Sequence, residues 1–174
     1  PPPHRFFFPA ADGLREFCLA RGLGGCVYET VSIPYKYKIT TSALIRGRLY
    51  IASKEGGICQ LNGKTFTSVP GGEHVKGMRV CALLPYQKGN ILIVTEFCGV
   101  FIFDGATVRP FEMDIDPFLK ANQVFCAATN ERELVFGTVN NGIIIKDITS
   151  GSKTFVNMAP GLQPTTVLCI GFER

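Results

Sequence analysis

Charge is scarce in this chain. Only 18% of its 174 residues are Asp, Glu, Lys or Arg, against about 25% in an average globular protein. With 46% hydrophobic residues, this excludes a disordered or polyelectrolyte segment, because the apolar surface suffices to offset chain entropy. Long apolar runs are absent as well. None approaches the roughly 20 residues that cross a bilayer as a helix, so no membrane anchor is read here. The net charge is only +4, and its lysines and arginines are scattered, which leaves no basic face for nucleic acid. The histidines are two, His4 and His74, and no Cys-x-x-Cys occurs. A zinc site needs ligands at short paired spacings, so no metal is expected. Gly-x-Ser-x-Gly and a phosphate loop are also missing. Gly22-Leu23-Gly24-Gly25 lacks the spacing and the preceding strand of a dinucleotide site, and no cofactor is expected. The chain has no initiator Met and no charged-then-apolar leader, which reads as an excised or processed segment.

Turn formers are abundant: 19 Gly and 11 Pro, the composition of many short elements. The sequence also repeats itself. Gly47-Arg48-Leu49-Tyr50-Ile51-Ala52-Ser53, Gly89-Asn90-Ile91-Leu92-Ile93-Val94-Thr95 and Glu133-Leu134-Val135-Phe136-Gly137-Thr138 align. Each ends in Ser or Thr, and a glycine follows four residues later at Gly57, Gly99 and Gly142. A second marker, an apolar run beginning at Val80, Val124 and Val167, has spacings of 44 and 43 residues. Two independent markers with one period identify a true repeat.

Within each unit the runs are short and β-branched or aromatic, as in Ile91–Thr95, Val100–Phe103, Leu134–Phe136 and Ile143–Ile145. They are apolar at consecutive positions, which suits strands covered on both faces. Asn62-Gly63, Asp104-Gly105 and Thr149-Ser150-Gly151 supply the hairpin turns between third and fourth strands. Helical signals are confined to one turn at 116–121 and a short stretch over Asp12–Arg21. Neither gives the crossovers of a parallel α/β sheet. The expected fold is all-β: β-propeller blades of four antiparallel strands, a fragment of a larger propeller. The blades are placed at about 27–78, 79–123 and 124–166, with the first strand of a further blade at 167–172. Residues 1–26 are an N-terminal segment, either outer strands or linker of a preceding blade.

The unit resembles the two-component regulator propeller repeat. The match is clearest in Leu134-Val135-Phe136-Gly137-Thr138 followed by Asn141-Gly142-Ile143, and in the Gly161-Leu162 linker ahead of Thr166-Val167-Leu168. It covers residues 39–174. The family's usual Trp is replaced by Tyr50, Leu92 and Val135. This resemblance implies the periplasmic, extracytoplasmic sensor part of a membrane-bound bacterial signal-transduction or transcription regulator. Kinase or DNA-binding output domains would then lie elsewhere in the parent protein. The implied partners are neighbouring blades or domains of that protein, a second copy joined through it, and a polar small molecule or glycan fragment.

If the strands meander, the loops joining second and third strands share a face with the segments between blades. That face gathers the candidate ligand-binding residues Lys54, Glu55, Glu96, Phe97, Asn122, Gln123, Asn140, Asn141 and Gln163. A propeller scaffold for protein–protein interaction is the alternative, and a propeller glycan hydrolase or lyase the remaining one. The latter would draw on Glu112, Asp114 and Asp116, which alternate along one side of an extended strand. Nothing at the other repeats supplies a partner, so the segment itself is read as non-catalytic. Cys81, Cys126 and Cys169 recur at one place in the repeat and are expected reduced and buried in the innermost strands.

Overall fold

The computed structural model describes residues 33–130, 132–156 and 166–172. The expected segment 1–26, its helical stretch and Gln163 lie outside the described residues. Three four-stranded sheets follow one another along the chain, each ordered as its strands occur in sequence. Sheet 1 comprises β1 (Ile39–Ile45), β2 (Arg48–Ser53), β3 (Gly57–Asn62) and β4 (Thr65–Ser68). Sheet 2 comprises β5 (Val80–Pro85), β6 (Ile91–Thr95), β7 (Val100–Phe103) and β8 (Val108–Pro110). Sheet 3 comprises β9 (Val124–Thr129), β10 (Glu133–Thr138), β11 (Ile143–Asp147) and β12 (Lys153–Val156). All neighbours pair antiparallel. Among the described residues the structure is all-β apart from short helical turns and one helix, and its sheets have the size and order of propeller blades.

The consecutive apolar runs now have their explanation. Leu83, Ile93 and Phe101 lie opposite one another across β5, β6 and β7, as do Leu84, Leu92 and Ile102. The first row packs into the cluster shared with sheet 1, beside Ala52 and Ile58. The second packs into the cluster shared with sheet 3, beside Leu134, Phe136 and Ile144. Alternate residues of one strand point to opposite faces, so a strand between two neighbouring sheets needs apolar groups at every position. Burying each such side chain stabilises by about 1.5–3 kcal/mol. The first strands β1, β5 and β9 lie side by side in that order.

The Ser/Thr-to-Gly spacing is a turn. Thr95 Oγ1 donates to the Gly99 carbonyl at 2.6 Å and accepts from the Cys98 N–H at 3.0 Å. Thr138 does the same with Gly142 and Asn141, at 2.9 and 3.0 Å. Ser53 Oγ accepts from the Gly56 N–H at 2.9 Å. All three hydroxyl residues are buried. Gly57, Gly99 and Gly142 have φ of +74°, +82° and +67° at the entry to each third strand, a conformation that side chains with a Cβ disfavour.

The helix α1 (Asp116–Asn122) forms with Pro117 in its first turn and buries Leu119 against the sheet 2–sheet 3 cluster. It runs seven residues, one beyond the single turn expected at 116–121. The acidic stripe of an extended strand is not formed. The chain leaves β8 at Pro110, turns at Asp114, and enters the helix at Asp116. Asp114 instead binds Lys146 at 2.8 Å and Lys153 at 3.4 Å, tying this linker to β11 and β12.

Candidate functional sites at the two ends of the sheets

The turns between second and third strands meet the segments between sheets at one end of the molecule, as the meander expects. The Gly77 N–H donates to the Lys54 carbonyl at 2.7 Å. One repeat later, the Glu96 N–H donates to the Arg79 carbonyl at 2.9 Å, and the Val124 N–H to the Glu96 carbonyl at 2.9 Å. One further on, the Val139 N–H donates to the Gln123 carbonyl at 2.9 Å, and the Val167 N–H to the Thr138 carbonyl at 3.1 Å.

Side chains converge at the middle of this end. Glu96 Oε1 accepts from Gln123 Nε2 at 2.8 Å and faces Arg79 Nη1 at 3.3 Å. The Arg79 guanidinium also lies 5.8 Å from the Phe125 ring centre. Glu96 is not the open rim residue that a loop position leads one to expect, because its side chain is only 17% exposed. Beside it, Phe97 is 51% exposed. Lys54, Glu55, Asn140 and Asn141 are exposed at their own turns. Asn122 is diverted, since its amide donates to the Phe118 carbonyl at 2.9 Å and closes α1. The structure thus brings Glu96 and Gln123 together and leaves the remaining residues spread along the rim. What this cluster offers is one shared carboxylate, an amide and a bare aromatic ring.

The opposite end carries the hairpin turns and a cleft of about 230 Å³ between sheets 1 and 2. Buried Tyr50, Ile91 and Phe103 give it an apolar side, and Gln60, Asn62 and Thr67 a polar one. Gln60 Nε2 donates to Asn62 Oδ1 at 2.9 Å, and Asn62 Nδ2 donates to Thr67 Oγ1. Arg48 lines the cleft, as does Gly89. A Cβ added at Gly89 would collide with Arg46 Nη1, so the Arg46 guanidinium rests on that glycine. Reading the sequence for loops that project misses this site. Its polar groups stand on strands β3 and β4, and its lining comes from both sheets, a juxtaposition that no local pattern encodes.

The repeated thiols mark the seams between sheets. Cys81 Sγ donates to the Val124 carbonyl at 3.1 Å, and Cys126 Sγ donates to the Val167 carbonyl at 3.4 Å. All described cysteines are free. The expectation of full burial is corrected: Cys81 and Cys126 are half-buried and Cys169 is exposed. Cys81 is covered by β9 at Val124 and Cys126 by the segment at Val167, whereas Cys169 lies within residues 166–172, which form no strand in the described structure. Burial pushes the Cys81 thiol up to about 11, so it is protonated at neutral pH and a poor nucleophile.

No family model matches the chain, and no curated protein matches it. Among solved structures, it is similar to the crystal structure of an extracellular domain from B. thetaiotaomicron, described as that of a hybrid two-component system. The identity is 21% and the TM-score 0.55, over 92% of this chain and 23% of that one. The chain therefore spans about a quarter of the length of the structure it matches, and the likeness establishes a shared fold.

Proposed function

We propose that the chain is a run of propeller blades, with a further blade beginning at 167–172, from the extracytoplasmic ligand-sensing part of a membrane-bound two-component regulator. The observation that carries this reading is the likeness, over 92% of the chain, to an extracellular domain described as belonging to a hybrid two-component system. The seams add support. Val167 meets sheet 3 with its amide on Thr138 and its carbonyl on Cys126, one residue offset from the way Val124 meets sheet 2 with its amide on Glu96 and its carbonyl on Cys81. On this reading residues 167–172 are the first strand of the next blade, and the propeller is larger than this chain.

The segment senses and does not catalyse. Asp114, the middle residue of the acidic run, is held by two lysines that keep its carboxyl below the ordinary value. A general acid needs its pKa raised. The ligand is a polar molecule such as a glycan fragment. The rim at Glu96, Phe97, Gln123, Asn140 and Asn141 is its proposed contact, with Lys54 and Glu55 alongside. Stacking on Phe97 and hydrogen bonds to Glu96 and Gln123 suit a sugar ring. The test is a thermal-shift screen of the full chain against neutral oligosaccharides, followed by Phe97→Ala and Asn140→Ala. We expect a stabilising oligosaccharide whose affinity falls about tenfold in Phe97→Ala. Binding that both variants leave intact would remove the rim from the proposal, and a screen without any hit would count against sensing.

A further inference from the structure

The cleft at the hairpin end lacks negative charge. Among the described residues, no carboxylate lines it. Asp104, the carboxylate of the neighbouring β7–β8 turn, is already committed. Its Oδ1 accepts from the Ala106 and Thr107 N–H groups at 2.9 Å each, and Arg109 stands 3.9 Å from its other oxygen. Against this, the Arg46 and Arg48 side chains have neither ion pair nor hydrogen bond among the described residues. Arg48 lines the cleft and Arg46 lies against Gly89 at its edge; two guanidinium groups so placed, unpaired among the described residues, set up a field that favours an anion.

The polar wall keeps unused capacity. After the Gln60–Asn62–Thr67 bonds are made, the Gln60 side-chain oxygen Oε1 remains an open acceptor, and each side-chain amide retains one N–H. Across from them, Tyr50, Ile91 and Phe103 present an apolar side. Hydroxyls are recognised by amides, a ring's C–H face by apolar surface, and a carboxylate by a guanidinium in a two-pronged contact. The volume of about 230 Å³ falls below the roughly 300–1,000 Å³ of pockets for drug-sized molecules. One ring fits; a longer chain would have to extend past Gly89 and Gly105.

From these features we infer that the cleft between sheets 1 and 2 binds a single-ring sugar acid, its carboxylate on Arg48 and Arg46 and its hydroxyls on Gln60, Asn62 and Thr67. The inference rests on the sensing reading for the presence of a small polar ligand, yet it concerns a second site at the opposite end from Glu96. Gly89 is integral to it. With φ at +87° and Arg46 against its α-carbon, it lets the guanidinium cross the β5–β6 turn.

The experiment is calorimetric titration of the full chain with sodium glucuronate, sodium galacturonate and glucose. At least one acid is expected to bind about tenfold or more tightly than glucose, and the difference to shrink as salt rises. Arg48→Gln should weaken acid binding by about tenfold while leaving the thermal midpoint unchanged, because its side chain is exposed and unpaired. Asn62→Ala, a separate probe of the polar wall, should weaken both acid and glucose. Phe97→Ala should leave acid binding intact. Failure of both acids to bind, equal affinity for glucose, or acid binding indifferent to Arg48→Gln would each overturn the inference. An acid whose binding falls with Phe97→Ala and not with Arg48→Gln would place it on the rim, overturning the cleft while sparing the sensing reading.

Discussion

Sheets 2 and 3 share strand order, turn and repeat length, but they differ in cover. Every residue of β6 and β7 is buried. In sheet 3, β12 is exposed throughout, and β11 buries only Ile144. Yet β11 reads Ile143-Ile144-Ile145, as apolar at consecutive positions as Val100-Phe101-Ile102 of β7. The same pattern is satisfied on two faces in one sheet and on one face in the other. A sheet of this kind therefore takes its stability from its neighbours, and its own sequence specifies a cover that it does not itself contain.

Side-chain truncation breaks the comparison most sharply. Leu92→Ala in sheet 2, where the residue is fully enclosed, should cost about 2–5 kcal/mol. Ile145→Ala on the open face of sheet 3 should cost about 1 kcal/mol or less, because its transfer from water is incomplete. Urea denaturation of the two variants reads both values, and equal costs would mean that the second face of sheet 3 is as well packed as the first.

Where the two sheets are alike, their variants should be alike. Thr95→Val and Thr138→Val each leave an amide, Cys98 or Asn141, without its acceptor. The expected loss is about 1–2 kcal/mol in either sheet. A difference larger than about 0.5 kcal/mol would show that the turn depends on its surroundings.

Acid should separate the sheets again, by the smallest margin. The Ser150 N–H and the Arg132 guanidinium hold the Asp147 carboxyl well below its ordinary range, and Lys146 and Lys153 lower that of Asp114. A carboxyl depressed in the folded state adds stability that is complete above its unfolded value of 3.8. That stability is lost as pH falls through the folded value. Both groups belong to sheet 3 or its linker, whereas Asp104, lowered by the Thr107 and Ala106 N–H groups, belongs to sheet 2. Hydrogen exchange followed between about pH 4 and pH 2 should show amides of β11 and β12 losing protection before those of β6. Loss in the reverse order would refute the assignment.

The strands, their order and the repeat were legible because they follow from short-range chemistry. Ser or Thr four residues before Gly is a self-contained turn, in which one hydroxyl serves both an N–H and a C=O while glycine takes the positive φ. Asp104-Gly105 likewise closes a hairpin through its own carboxylate. The meander of neighbouring strands then brings the Glu96 turn and the Gln123 segment to one end, where their side chains bond. Three things lay beyond that reach. The path of Glu112–Asp116 depends on Lys146 and Lys153, which bind Asp114 from well beyond its own neighbourhood in sequence. The covering of Cys81 and Cys126, and the exposure of Cys169, depend on which strand follows.

The cleft is the third. Taken alone, the sequence determined the all-β class, the four-strand unit and the glycine turns, since each is settled within a few residues by φ, by hydrogen-bonding reach and by the alternation of side chains. Only the tertiary structure decided which row of an apolar strand meets which neighbour, and that sheets 1 and 2 enclose a polar-walled cleft beside Arg48. Packing of whole faces is set by the summed shapes of many distant residues, and no local pattern records that sum.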